Sequence, residues 1–157
     1  MPKLKCYLAQ INPIVGDIDG NVEKCIQYHQ TAQQAGANLV IFPEQTLPGY
    51  PAKDLLTLRQ FIRRNEEGVR LYAEKTAGAP ASLIGFAEHA GGKGKGLYNS
   101  VALCRGGKIE KVYRKRLLPT YDVFDEDRYF EEGDEAVVVD IDGFGVGITT
   151  RSEEHTS

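Results

Sequence analysis

The chain has 157 residues, 41% of them hydrophobic and 26% charged, with nineteen basic against twenty-two acidic side chains. That length and composition suffice for one globular domain with a buried core and exclude wholesale disorder. The net charge of -3 offers no basic excess to nucleic acid, no apolar run reaches the length of a membrane span, and the first residues lack the apolar stretch of a signal peptide. Cys6, Cys25 and Cys104 are odd in number and far apart. This excludes a disulfide framework or a close CxxC zinc site and suits a reducing cytoplasm.

Residues 4–11 read as a strand that ends at Asn12-Pro13. A polar turn over 16–20 follows, and Asn21 is the expected N-cap of a helix. Val22, Cys25, Ile26, His29 and Ala32 recur at helical spacing until Gly36 stops them. Residues 38–42 form a short apolar run, which fits a strand covered on both faces. Strand, helix, strand makes a βαβ unit, for which a right-handed crossover is the default. A second helix is predicted over 54–77, with Leu58, Phe61, Ile62, Val69, Tyr72 and Ala73 on its apolar face and Gly78 and Pro80 at its end. Residues 82–88 read as the next strand. The pattern then turns antiparallel: 97–104 and 108–114 flank the turn Arg105-Gly106-Gly107. Residues 116–135 have no clear period, and long irregular segments are often functional. Residues 136–141 and 144–149 are strands joined by Asp142-Gly143, a type I′ hairpin signal.

Two stretches could carry chemistry. Phe42-Pro43-Glu44 directly follows a buried strand, where ligands usually bind in α/β sheets. A carboxylate partly withdrawn from water holds its proton more readily and can act as a general base. The competing reading, a surface glutamate in a Pro-rich turn, is favoured on position alone. Tyr113-Arg114-Lys115-Arg116 ends a strand, and a lysine there can stabilise an oxyanion, an effect typically worth about 3 kcal/mol. Three adjacent cations also suit a solvated strand end, the better reading of the residues by themselves. Gly91-Gly92-Lys93-Gly94-Lys95-Gly96 lacks P-loop spacing and reads as a solvated hairpin loop. His29, His89 and His155 form no pair with metal-ligand spacing, so no metal is expected. All three cysteines lie on strands or a helix face, where buried thiols behave as small hydrophobes.

Taken in order, Ala9-Gln10-Ile11-Asn12-Pro13 with Val15-Gly16-Asp17, Phe42-Pro43-Glu44 and Tyr113-Arg114-Lys115 resemble the nitrilase (carbon–nitrogen hydrolase) superfamily. Gly16–Asn21, Gly49–Leu56 and Lys115–Phe130 are more narrowly similar to the glutaminase domain of glutamine-dependent NAD synthetases. The resemblance runs from about residue 4 to 150.

It implies the N-terminal part of an α/β, four-layer αββα sandwich over 1–150. It implies a Glu-Lys-Cys triad, with Glu44 as general base and Lys115 as the lysine, and Tyr121 as a contact of the substrate, L-glutamine. The family's cysteine follows the strand matching Gly145–Thr150, and here Arg151 holds its place. Residues 151–157, Arg-Ser-Glu-Glu-His-Thr-Ser, match the translation of a common sequencing-adapter sequence and read as a non-native tail. The resemblance further implies no cofactor within this segment. ATP and Mg2+ would belong to a C-terminal synthetase domain that turns deamido-NAD into NAD inside a homo-oligomeric cytoplasmic enzyme. This chain alone is expected to be inactive, with no nucleic-acid or membrane partner. A stand-alone amidase of the superfamily and a non-catalytic binding module are the alternatives.

Overall fold

The computed structural model describes residues 1–91, 96–119 and 126–150. Five strands form one sheet: β1 (Cys6–Leu8), β2 (Leu39–Ile41), β3 (Ala81–His89), β4 (Leu97–Arg105) and β5 (Lys108–Arg114), side by side in that order. β1, β2 and β3 run parallel, and β3, β4 and β5 antiparallel. The connections into β2 and β3 carry helices α1 (Ile18–Gln34) and α2 (Arg59–Lys75). A hairpin of β6 (Val137–Ile141) and β7 (Phe144–Ile148) forms a second sheet.

Period-two alternation sorts the side chains into layers. Val40, Ile84, Phe86, Ala102 and Cys104 face one way and join Val22, Cys25, Val69 and Tyr72 of the two helices in one core. Their neighbours Leu39, Leu83, Val101, Leu103 and Tyr113 face the other way and join Val137, Ile141 and Ile148 of the hairpin. The described residues thus stack helices, sheet and hairpin, an α–β–β arrangement. At the hairpin tip Asp142 and Gly143 have φ of 51° and 87°, which is the type I′ turn the sequence calls for.

Several local expectations change. β1 is shorter than 4–11, because Gln10 N and Ile11 N turn back to the carbonyls of Leu8 and Ala9. α1 starts earlier: Asp17, not Asn21, is the N-cap, and its Oδ1 accepts from Gly20 N at 3.0 Å. Asn21 is buried instead. Its Nδ2 donates to Ile14 O at 2.8 Å and Leu47 O at 3.0 Å, tying the helix to the loop after β2. The helix expected over 54–77 breaks at Leu58, whose backbone is extended, into a short 3-10 turn (Lys53–Thr57) and α2. Cys6 is exposed, whereas Cys25 and Cys104 are buried. Burial pushes the thiols of Cys25 and Cys104 up to about 12, so neither forms a thiolate near neutrality. His29 is packed, with Nε2 2.9 Å from Pro80 O. No helix among the described residues is long and apolar enough to cross a membrane.

Candidate active site

Glu44 sits in a loop that the chain pins from several sides. Phe42 N donates to Leu83 O at 2.9 Å and Leu47 N to Gly85 O at 3.0 Å, so the loop lies on β3. Thr46 Oγ1 donates back to Pro43 O, and Gly49 N to Gln45 O at 3.0 Å. Gly85 permits the contact. A Cβ there would meet Gln45 N at 2.5 Å and Pro43 O at 2.8 Å. Gly49 does the same on the far side. At φ of 77° it lies against the Ile14–Val15 backbone, where a Cβ would come within 2.6 Å of Val15 Cα.

Lys115 follows β5 directly and continues its alternation. Tyr113 and Lys115 point inward, while Arg114 and Arg116 are exposed. Arg114 takes the solvated role, with Nε 2.6 Å from Glu88 Oε1 and its guanidinium over the Tyr98 ring. The solvated reading therefore holds for its neighbours and fails for Lys115, which is 1% exposed. Lys115 N donates to Asn99 O at 2.9 Å, and Lys115 O accepts from Gly133 N at 2.8 Å.

The Lys115 ammonium lies between two carboxylates. It donates to Glu44 Oε1 at 2.7 Å, and to Glu126 Oε2 and Oε1 at 3.0 and 3.2 Å. Asn99 Nδ2 donates to Glu44 Oε1 at 2.7 Å and lies 3.5 Å from Glu126 Oε2. Charge-assisted bonds of this kind are the strong ones, and little water competes with them here. Burial raises the Glu126 carboxyl above its ordinary value. Lys115 pulls it down, and the Glu44 charge adds to the rise. Glu44 spends Oε1 on Lys115 and Asn99, while Oε2 accepts no hydrogen bond among the described residues. The carboxylate is thus held at one oxygen and open at the other, the state a proton acceptor needs.

These groups line a cavity of about 500 Å3 with Phe42, Tyr50, Val101 and Ile148. Thr149 and Thr150, which follow β7, also line it. No cysteine is among its lining residues. Glu44 and Lys115, 71 positions apart in the chain, are brought together here. Tyr121 and residues 151–157 lie outside the described residues. Sequence reasoning assigned no role to Asn99 or Glu126. Asn99 did carry a signal, as a carboxamide inside a strand whose other residues are mostly apolar.

The carbon–nitrogen hydrolase family model matches residues 8–155. The glutamine-dependent NAD(+) synthetase of Thermotoga maritima is 41% identical over 150 residues, covering 95% of this chain and 25% of that protein. The synthetase of the same name from Synechocystis sp. is 46% identical over 129 residues, covering 78% and 23%. Among solved structures, the glutamine-dependent NAD+ synthetase of Acinetobacter baumannii, in complex with ADP, superposes with a TM-score of 0.81 at 33% identity over 93% of this chain and 27% of that one. The NitN amidase of Nesterenkonia sp. AN1 superposes at 0.73 with 19% identity over 94% and 56%, a likeness of fold. The chain spans about a quarter of the length of the curated relatives it matches. With a family match over most of its length, and Glu44 and Lys115 joined in one cavity, this chain belongs to the carbon–nitrogen hydrolase family.

Proposed function

We propose that this chain is the glutaminase segment of a glutamine-dependent NAD(+) synthetase, the activity named for its relatives. The observation that carries the reading is the buried Lys115 ammonium, held between Glu44 and Glu126 on a cavity of about 500 Å3. In this reading the glutamine amide enters that cavity, and Tyr121 helps to hold the substrate. Glu44, through its open oxygen, takes the proton of an attacking thiol. Lys115 lies where it can offset the negative charge of the tetrahedral oxyanion, and Asn99 keeps Glu44 aimed. Ammonia leaves, water cleaves the thioester, and glutamate is released. The thiol is not among Cys6, Cys25 and Cys104. Its place in the family's order falls at Arg151, and an always-charged guanidinium cannot serve as a nucleophile. We therefore assign residues 1–150 to the hydrolase domain and 151–157 to a non-native tail. ATP and Mg2+ belong to the synthetase part of this reading, beyond these residues.

A stand-alone amidase would share the same charged cluster, and the Nesterenkonia amidase shares the fold. The identity to the synthetases favours the first reading. The test begins by resequencing the locus past codon 150 and expressing the continuous frame. The synthetase reading expects ammonia from L-glutamine and, with ATP and deamido-NAD, formation of NAD. Ammonia from simple amides without NAD would establish the amidase instead. The 157-residue chain is expected to release no ammonia from glutamine, and turnover by it would overturn the assignment of the nucleophile.

A further inference from the structure

The charges that line the cavity do not balance. Among the described residues they are Glu44, Lys115 and Glu126, with no arginine or second lysine on the wall. Two carboxylates against one ammonium leave the cluster one negative charge in excess. Water does little to screen it, because the Lys115 side chain is 1% exposed and that of Glu126 8%. The ammonium is already shared, 2.7 Å from Glu44 Oε1 and 3.0 Å from Glu126 Oε2. Asn99 donates to Glu44 Oε1 but brings a dipole, not a charge. Phe42, Leu83, Val101 and Ile148 make much of the remaining wall apolar, and charges in such surroundings interact more strongly than in water. The upward pull of Glu44 on the Glu126 carboxyl is this repulsion felt inside the cluster.

That sum changes during the hydrolysis proposed above, on which this inference rests. As the thiol sulfur bonds to the amide carbon, its proton goes to Glu44. Lys115 is then matched by Glu126 alone, the cluster is neutral, and it can accept the single negative charge of the tetrahedral oxyanion. The C–N bond breaks and the Glu44 proton leaves on ammonia. Water repeats the exchange at the thioester. One of its protons goes to Glu44, its oxygen bonds to the carbon, the C–S bond breaks, and that proton ends on sulfur. The product acid then gives its own proton to solvent and becomes a carboxylate while Glu44 is ionised again. A third carboxylate now faces one ammonium. The oxyanion is tolerated only because Glu44 holds a proton for as long as it exists, and the product has no such cover.

We propose that Glu126 supplies the charge by which this cavity admits the glutamine amide and expels the glutamate formed from it. The test uses the continuous gene product and two ligands it cannot hydrolyse, L-glutamate and L-5-hydroxynorvaline. Both carry the same α-amino acid group, and they differ in the charge at the far end. Isothermal titration calorimetry at pH 8, on the basic side of the carboxylate range, gives the Kd of each. Glutamate is expected to bind about tenfold or more weakly than hydroxynorvaline. Glu126→Gln should shrink that ratio on the order of tenfold by tightening glutamate. Glu126→Asp shortens the side chain but keeps its charge, and should keep the ratio. A merely structural role for Glu126 would weaken both ligands together in both variants. A ratio near one in the parent protein, or one left unchanged by Glu126→Gln, would overturn the proposal. If the parent protein releases no ammonia from glutamine and binds neither ligand, the glutaminase reading itself falls and takes this inference with it.

Discussion

Lys115→Met should cost about 3–5 kcal/mol of stability, the penalty for removing one partner of a buried charged group. Methionine fills nearly the same space, so little of the loss would come from a cavity. What it removes is, among the described residues, the one cation that touches both Glu44 and Glu126. Asn99 Nδ2 alone would then face two carboxylates, at 2.7 and 3.5 Å. Without the cation between them the two carboxylates repel each other, and one carboxyl is expected to take up a proton. The pH dependence follows from the sign of that change. Glu126 already has a raised value in the folded chain, so between its ordinary and its raised value the folded state binds more protons than the unfolded. Its contribution is therefore greatest below the ordinary carboxylate range and is lost as pH rises through the raised value. Lys115→Met should raise that value further and extend the declining region toward neutral pH. Urea titrations of the 157-residue chain and the variant across the acid-to-neutral range measure both effects. Adding Glu126→Gln to Lys115→Met should recover much of the loss and flatten the pH dependence. A loss under about 1 kcal/mol, equal at all pH values, would mean that the ammonium is solvated.

Gly85→Ala should damage the site from a residue that takes no part in its chemistry. The added methyl would stand 2.5 Å from Gln45 N, 2.8 Å from Pro43 O and 3.1 Å from Glu44 C. All three atoms are backbone, so no flexible side chain can give way. Either the loop lifts off β3, breaking the bond from Leu47 N to Gly85 O, or the strand bends. Overpacking of this kind costs about 1–3 kcal/mol. The functional cost is larger. A shift of about 1 Å in Glu44 breaks its bonds to Lys115 and Asn99, and displacements of that size can cost on the order of 10²-fold in rate. Denaturant titration of this chain reads the first effect, and ammonia release by the continuous gene product reads the second. Gly145→Ala is the control, because its Cβ would meet only Val138 Cγ1 at 3.9 Å. It should change stability by less than about 0.5 kcal/mol.

Elements with a strong period were legible in the sequence. The α1 stripe of Val22, Cys25, Ile26, His29 and Ala32 is buried as read, and the Asp142-Gly143 hairpin forms. What failed was decided by contacts from far along the chain. Asn21 looks like a cap because asparagine caps helices, but the backbone of Ile14 and Leu47 claims its side chain. Lys115 looks solvated when its neighbours are counted, yet it follows from alternation once Tyr113 is placed inside. Two inward positions on one strand are two residues apart, and that rule outweighs local composition. Glu126 left no such trace. It sits in a single 3-10 turn (Glu126–Arg128) within an aperiodic stretch, and only the tertiary structure brings it to Lys115.

The charged cluster also bears on the order of folding. Its members span the chain: Glu44 is 71 residues from Lys115 and 55 from Asn99. Lys115 reaches its place only after β4 and β5 have paired, and Glu44 only after its loop has settled on β3. Closing loops of that size is entropically slow, and an ammonium loses its water profitably only when both carboxylates are already waiting. The cluster should therefore close after the rate-limiting step. In kinetic terms it acts as a latch on the finished sheet, slowing escape from the native state while contributing little to the speed of reaching it.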